Sequence, residues 1–150
     1  MTDLDIEFEH LYLEAKYQRW SLVPRFLFSY FCFREGYVTT HGKPDWEKAR
    51  ASCRRSTDAS ISKQVDLIPL VPLDTLVGEI KCLERDDLLS KDTLRNCLDD
   101  LLDYVVISKQ EWQKMKNLGL EDRMPVNWYQ SKTKDRYARL KAIGIPELKV

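Results

Sequence analysis

Glycine is scarce in this chain, and the positions of its glycines exclude the glycine-rich loops that cradle phosphates. A dinucleotide fingerprint or a P-loop needs glycines roughly two to five residues apart, between a strand and a helix. No pair of glycines in this chain has such a spacing, since the five are Gly36, Gly42, Gly78, Gly119 and Gly144. The sequence therefore predicts no nucleotide-binding loop of either kind.

Histidine and cysteine are also few, and neither is arranged as a set of metal ligands. The two histidines, His10 and His41, form no H-E-x-x-H motif, and no EF-hand loop is present. No C-x-x-C pair occurs, and no zinc pattern links the cysteines to the histidines. We therefore predict neither a metal site nor a cofactor. The four cysteines are Cys32, Cys53, Cys82 and Cys97.

Cys53 is the one cysteine whose neighbours suggest reactivity. Arg54 and Arg55 follow it directly, and nearby cations lower the pKa of a thiol. A cysteine nucleophile also needs a base, and neither histidine has the spacing of a known cysteine–histidine family. We expect instead that all four thiols are free and act as small buried hydrophobic groups, as in a reducing compartment.

The chain has no excess charge of one sign and no long hydrophobic run. Its 24 Lys and Arg residues balance 24 Asp and Glu residues, so no overall attraction to nucleic acid or acidic lipid is expected. The most apolar run, Phe26 to Phe33, is far shorter than the roughly 20 residues of a membrane helix. The first residues lack the basic region of a secretory signal peptide. We predict a cytoplasmic protein with no membrane partner.

What the chain does have is the composition of an ordinary globular protein. Hydrophobic residues make up 43% of the sequence and charged residues 32%, which is normal for a folded domain. A chain of this length buries roughly 70% of its unfolded surface and needs no disulfide to fold. The sequence therefore predicts a single globular domain over residues 1–150.

Helical periodicity and capping signals predict about seven helices. In the first, Leu4, Phe8, Leu11 and Ala15 form one apolar stripe, although the alternation of acidic and apolar residues at its start also permits a strand. The apolar second helix has a buried strand as its alternative. The predicted helices are Thr2–Trp20, Pro24–Arg34, one opened by Lys43–Trp46, Asp74–Arg85, one that starts at Ser90, Ser108–Gly119 and Thr133–Ile143.

The remaining segments are predicted to be extended or irregular. Val65–Leu73 contains two prolines and is expected to be extended and packed, and Tyr104–Ile107 is a candidate short strand. Ser56–Ser62 and Met124–Gln130 are predicted as loops. The fold class is therefore mainly α, a helical bundle-like fold with a minor extended or β component.

One alternative fold is an α+β arrangement with a winged-helix-like element at residues 74–107. The order helix, short turn, helix and β-prone run is that of a helix-turn-helix with a wing. Charge argues against the DNA-binding interpretation, because the outer face of the second helix carries Asp92, Asp99 and Asp103. Carboxylates on a recognition helix would repel phosphates.

Basic residues in two segments are candidates for contact with nucleic acid or phosphate. The C-terminal segment mixes cations with aromatic rings, as single-stranded nucleic-acid grooves do. A second basic segment covers residues 48–63, and the sequence does not establish that the two segments meet. The alternative is a solvated surface of a terminal helix. The candidate contacts are Arg54, Arg55, Lys132, Lys134, Arg136, Arg139 and Lys141.

Aromatic residues exceed what a core of this size requires, and the surplus suggests an interaction surface. Aromatic and arginine side chains are the usual anchors of protein interfaces, although any single one is more often part of the core. The candidate interface residues are Tyr30, Tyr37, Trp46, Trp112, Trp128 and Tyr129.

Together these features favour a small non-enzymatic protein that binds a protein partner or a second copy of itself, forming an oligomer. The first alternative is a nucleic-acid-binding protein that uses the C-terminal helix and the 48–63 segment. The second alternative is an enzyme or a small-ligand protein with scattered site residues, which a polar-lined pocket would support.

Overall fold

Nine α-helices and one two-stranded antiparallel sheet make up the fold in a computed structural model that describes residues 1–150. Helix accounts for 57% of the chain, which confirms the prediction of a mainly α fold with a minor β component. There are nine helices rather than about seven. They are α1 (Asp3–Lys16), α2 (Val23–Glu35), α3 (Trp46–Ser52), α4 (Thr57–Ile61), α5 (Leu73–Arg85), α6 (Lys91–Leu101), α7 (Lys109–Asn117), α8 (Val126–Gln130) and α9 (Ala138–Ala142).

Capping boxes fix where three of the helices begin. At α1 the Thr2 hydroxyl accepts from the Asp5 backbone N–H at 3.1 Å, and the Asp5 carboxylate accepts from the Thr2 N–H at 3.0 Å. Ser108 and Glu111 do the same for α7, and Ser90 opens α6. Each box satisfies two backbone donors that a helix start leaves unpaired, so the sequence predicted these three starts well.

The junction between α1 and α2 departs from the predicted boundary. The first helix ends at Lys16 rather than at Trp20, because Gln18 adopts a φ of 60°, a left-handed conformation that stops a right-handed helix. A 3-10 turn at Trp20–Leu22 then leads into α2, with Pro24 in its first turn. Helix α2 contains the most apolar run of the chain, and no helix combines the length and the apolar composition needed to cross a membrane.

Three other boundaries correct the sequence prediction. The predicted loop at 56–62 contains α4, and the predicted loop at 124–130 contains α8. Conversely, only α9 is helical within the predicted helix at 133–143. Helices of one turn are not stable by themselves, so these short helices depend on tertiary contacts that a local pattern does not report.

Asp135 explains why the last helix starts late. Its carbonyl oxygen accepts a hydrogen bond from the Trp128 indole at 2.9 Å, and its carboxylate accepts from the Tyr137 backbone N–H at 3.0 Å. These contacts hold residues 131–137 as an irregular strap against α8. The helical hydrogen-bond ladder therefore begins only at Ala138.

The sheet pairs two short strands, β1 (Val65–Pro69) and β2 (Tyr104–Ser108), so that the first residue of β1 lies opposite the last residue of β2. Arg55 forms a parallel bridge to Val106 on the free side of β2, and an antiparallel bridge to Lys149. The predicted extended segment at 65–73 therefore contains β1, and the predicted strand at 104–107 is β2 without its last residue. The C-terminal segment and residue 55 extend the sheet by single bridges.

The winged-helix alternative lacks its wing. Helices α5 and α6 are followed by β2 as that alternative requires. However, β2 pairs with β1, which precedes α5, and Ser108 at the end of β2 is also the N-cap of α7. No second strand follows β2, so the hairpin that would form a wing is absent from the fold.

The core lies on both faces of the sheet. A cluster of 24 buried residues joins the inner faces of α1, α2, α5 and α6 to one face, which presents Leu67 and Val106. A second cluster of eight buried residues packs α7 and α9 against the opposite face, which presents Ile68 and Val105. All five residues of β2 are buried, as expected for a strand covered on both sides.

Candidate functional site

Most of the candidate interface aromatics belong to the core. Tyr30 and Trp128 are buried. The prediction that these two side chains are exposed at an interaction surface is therefore wrong. Tyr37 and Trp112 are partly buried against the two core clusters. The two that remain well exposed are Trp46 and Tyr129. The aromatic surplus therefore serves packing more than it serves a surface.

The two basic segments meet at the hydroxyl group of Tyr137. Arg54 Nη2 donates to this oxygen at 2.7 Å, and Arg136 Nη2 donates to it at 3.1 Å. Arg54 also lies 3.4 Å from the Asp103 carboxylate, and Arg136 lies 3.4 Å from the carbonyl oxygen of Asp99. The fold thus brings together cations that are far apart in the sequence, which the sequence alone could not establish.

The electrostatics of Tyr137 follow from its two arginine neighbours. Partial burial raises the pKa of Tyr137, but hydrogen bonds from Arg54 and Arg136 outweigh it and lower the pKa below its ordinary value. The two guanidinium carbons lie 5.6 Å and 5.2 Å from the centre of the Tyr137 ring. The phenol oxygen acts only as an acceptor in these contacts, so its own proton is left to donate elsewhere.

Tyr137 stands between two surface clefts. One, of about 500 Å³, lies between the C-terminal half of α6 and the strap at 132–137. The other, of about 320 Å³, lies between Arg54 and the segment at 145–148. The larger cleft presents the polar or charged side chains of Asp100, Lys132, Lys134, Asp135, Arg136 and Tyr137.

Most of the other candidate cations already form hydrogen bonds or ion pairs with groups of the protein itself. Lys134 donates to two carbonyl oxygens at the end of α8, at 2.9 and 2.8 Å. Arg55 donates to two carbonyls of the last turn of α3, and Lys141 binds Asp135 at 2.6 Å. Lys132 is exposed. An extended track of free cations, which a nucleic-acid strand would follow, is therefore not apparent here.

Arg139 is the clearest correction to the set of candidate contacts, because its side chain is 1% exposed. Its guanidinium donates to the carbonyl oxygen of Leu120 at 2.8 Å, to Glu121 at 3.2 Å, to Leu70 at 3.3 Å and to Pro69. Burial lowers the pKa of Arg139 to about 10, so the group stays charged at neutral pH. It holds chain segments together and does not face solvent.

Cys53 does not have the reactive environment that its sequence neighbours suggested. The thiol is buried, and burial raises its pKa to about 11. The arginines that follow it direct their charge elsewhere, to Asp103 and to the α3 carbonyls. Burial also raises the pKa of Cys32 to about 11. Burial therefore has a larger effect on the pKa of Cys53 than the two arginines that follow it in the sequence.

We expect the four thiols to differ strongly in their reaction with an alkylating reagent. In the folded protein at pH 8, iodoacetamide should modify the partly exposed Cys82 first, and Cys32 and Cys53 at least tenfold more slowly. Peptide mass spectrometry after timed quenching measures the order. The unfolded chain in urea is the control, in which all thiols should react at similar rates. Rapid labelling of Cys53 in the folded state would contradict the burial of its thiol.

An apolar stripe at the surface of α1 is absent from the sequence-based predictions. Three apolar side chains point away from the core, with exposures of 40% for Ile6, 47% for Leu13 and 66% for Tyr17. His10 is exposed between them. These four residues, the α1 outer stripe, lie on the face opposite the buried residues of α1.

A second periodicity in the sequence would have revealed this stripe. Its residues are spaced by four, three and four positions, which places them on one helical face. The predicted stripe is the inner one, which contains Phe8 and Leu11. A helix with apolar stripes on two faces either is buried on both sides or carries a contact surface.

No family model, no curated protein and no solved structure matches the chain. What the protein does is therefore inferred from its own side chains.

Proposed function

We propose that this protein is a non-enzymatic interaction protein that associates with a second copy of itself through the α1 outer stripe. The observation that carries the proposal is the solvent exposure of Ile6, Leu13 and Tyr17 along one face of a helix. Apolar side chains that line up on one exposed helical face are typical of contact sites. A second α1 is the partner that this stripe fits best.

The spacing of the stripe supports an antiparallel pair. Read from either end, the separations are four, three and four residues, so the stripe looks the same after a two-fold rotation. Such a rotation places Ile6 opposite Tyr17 of the second copy and His10 opposite Leu13. Isologous dimers need a surface that is complementary to itself in this way.

The distribution of charge along α1 supports the same orientation. Its first half carries Asp3, Asp5, Glu7 and Glu9. Its end carries Lys16, whose ammonium lies over the rings of Tyr12 and Tyr17, whereas Arg19 beyond it is paired with Glu14 at 3.1 Å. An antiparallel pair brings the acidic half of one helix to the basic end of the other, whereas a parallel pair would juxtapose like charges.

The size of the surface limits the expected affinity. A helix of 14 residues is about 21 Å long, and Phe26 of α2, whose ring lies 5.1 Å from that of His10, widens the surface. This is the low end of interface sizes, for which dissociation constants near the micromolar range are common. We therefore expect an equilibrium between monomer and dimer rather than a permanent dimer.

We expect Leu13→Glu to abolish dimer formation at concentrations at which the wild-type protein is largely dimeric. A carboxylate at position 13 lies opposite His10 of the second copy but must be desolvated among the apolar side chains of the two stripes, so association should weaken at least tenfold. Sedimentation velocity over a concentration series measures the effect. Leu88→Glu is the matched control, because Leu88 is also exposed, at 58%, and lies outside α1.

Two results would contradict self-association by this surface. One is a wild-type protein that remains monomeric up to about 1 mM, far above the expected dissociation constant. The other is a dimer that Leu13→Glu and Leu88→Glu weaken to the same extent. Circular dichroism of both variants establishes that neither result arises from unfolding.

A further inference from the structure

Two guanidinium groups meet at the Tyr137 hydroxyl, with Arg136 lining the larger cleft and Arg54 lining the smaller one. Arg54 and Arg136 both contact the Tyr137 hydroxyl, within 3.1 Å of the same oxygen. The nearest carboxylate contact is that of Arg54 with Asp103, at 3.4 Å, and Arg136 contacts no carboxylate within salt-bridge distance. The charge of Arg54 is therefore balanced by Asp103, whereas the charge of Arg136 is left without a carboxylate partner in the larger cleft.

Arg136 also has unused hydrogen-bond donors. A guanidinium has five N–H groups, and Arg136 uses two contacts, one of them a long one of 3.4 Å to the Asp99 carbonyl. The Tyr137 proton, which no acceptor takes, adds a further donor. The cleft wall therefore presents several N–H donors and one O–H donor in one place.

The remaining charges of the cleft leave a net positive site. Asp135 is neutralised by Lys141 at 2.6 Å, and Lys134 is neutralised by Glu79 at 3.6 Å. Lys132 is exposed and has no carboxylate partner. Asp100, on the α6 side of the cleft, is the one lining carboxylate without a cation partner. Because Asp100 repels an anion, a bound anion would lie on the side of the cleft where Tyr137 lies.

We propose that the larger cleft binds a small phosphate monoester, with its phosphoryl group held by Arg136 and the Tyr137 hydroxyl and approached by Lys132. A phosphoryl group carries about −1.5 to −2 charges at neutral pH and three acceptor oxygens, and the planar fork of the Arg136 guanidinium suits it geometrically. The cleft volume of about 500 Å³ accommodates a small molecule. The site is separate from the α1 outer stripe.

Titration calorimetry with phenyl phosphate at constant ionic strength tests the proposal. We expect millimolar or tighter binding by the wild-type protein. Arg136→Gln should weaken it about tenfold, because one charge-assisted contact is lost. Tyr137→Phe keeps the ring but removes the donor and should weaken binding several-fold. Arg85→Gln is the matched control, since Arg85 contacts only Asp86 at the surface, and it should bind like the wild-type protein.

The outcomes that overturn the proposal are distinct. No heat of binding up to about 10 mM phenyl phosphate, or equal affinities in Arg136→Gln and Arg85→Gln, removes the site. Tighter binding of a short single-stranded oligonucleotide, with an affinity that falls steeply with salt, assigns the cleft to nucleic acid instead. Leu13→Glu should bind phenyl phosphate normally, so failure of the dimer and failure of this site are separable.

Discussion

Replacement of Arg139 by methionine should lower the free energy of unfolding by about 3 kcal/mol. Methionine fills a similar volume, but it leaves the carbonyl oxygens that the guanidinium now satisfies without a donor. Unsatisfied buried polar groups cost about 1–3 kcal/mol each, and water can reach part of this set after the side chain is shortened. The loss would be a large fraction of the total stability of a domain of this size.

The position of those carbonyls explains why one side chain has this effect. Two of them, from Pro69 and Leu70, lie at the end of β1, and two, from Leu120 and Glu121, follow α7. Arg139 itself is on α9. Its guanidinium therefore joins three separate parts of the chain where no ladder of backbone hydrogen bonds does so.

Urea denaturation followed by tryptophan fluorescence measures the change. Arg139→Lys should retain the charge but supply fewer donors in a different geometry, and its loss should be intermediate. Arg85→Met is the control, because Arg85 is 70% exposed and its replacement should change stability by less than about 0.5 kcal/mol. If Arg139→Met were as stable as Arg85→Met, the carbonyl contacts would not contribute as described.

Replacement of Phe31 by alanine should be at least as destabilising, by about 3–5 kcal/mol. Phe31 is fully buried in the larger core cluster, and its ring lies 4.6 Å from that of Tyr104 and 5.8 Å from that of Tyr37. These contacts connect α2 with β2 and with the segment that precedes α3. Alanine removes the ring and leaves a cavity that rigid neighbours cannot fill.

Two variants separate packing from helix propensity in this experiment. Phe31→Leu keeps an apolar side chain of intermediate size and should lose roughly half as much stability. Phe33→Ala, two residues away on the same helix, truncates a half-buried ring that forms no aromatic pair and should cost less than Phe31→Ala. Equal losses in the two alanine variants would show that the aromatic contacts add little.

The parts of the fold that the sequence predicted are those with local causes. Ser108 and Glu111 satisfy each other's backbone donors three residues apart, so a short pattern is sufficient to locate α7. Pro69 excludes a helix interior by its own ring, which is why the 65–73 segment was expected to be extended. By contrast, α8 forms because Trp128 is buried and its indole binds the Asp135 carbonyl, a contact that no local pattern contains.

The candidate sites divide in the same way. The α1 outer stripe is a local periodicity, and a search for a second stripe would have found it. Arg54 and Arg136 both contact the Tyr137 hydroxyl. Arg54 and Tyr137 are 83 positions apart in the sequence, so only the fold brings them together. The sequence predicts Arg139 among the surface cations, because composition does not distinguish a guanidinium that faces water from one that faces carbonyl groups.

Ser108 closes β2 and caps α7 at the same time, and this shared residue restricts how the chain can change in length. No loop lies between positions 104 and 111 that could accommodate the insertion or deletion of one residue. The change would either turn every side chain of β2 to the opposite face of the sheet or separate the cap from Glu111. Related chains should therefore vary in length at the turns around 36–45 and 118–125, and keep the interval from β2 to α7 constant.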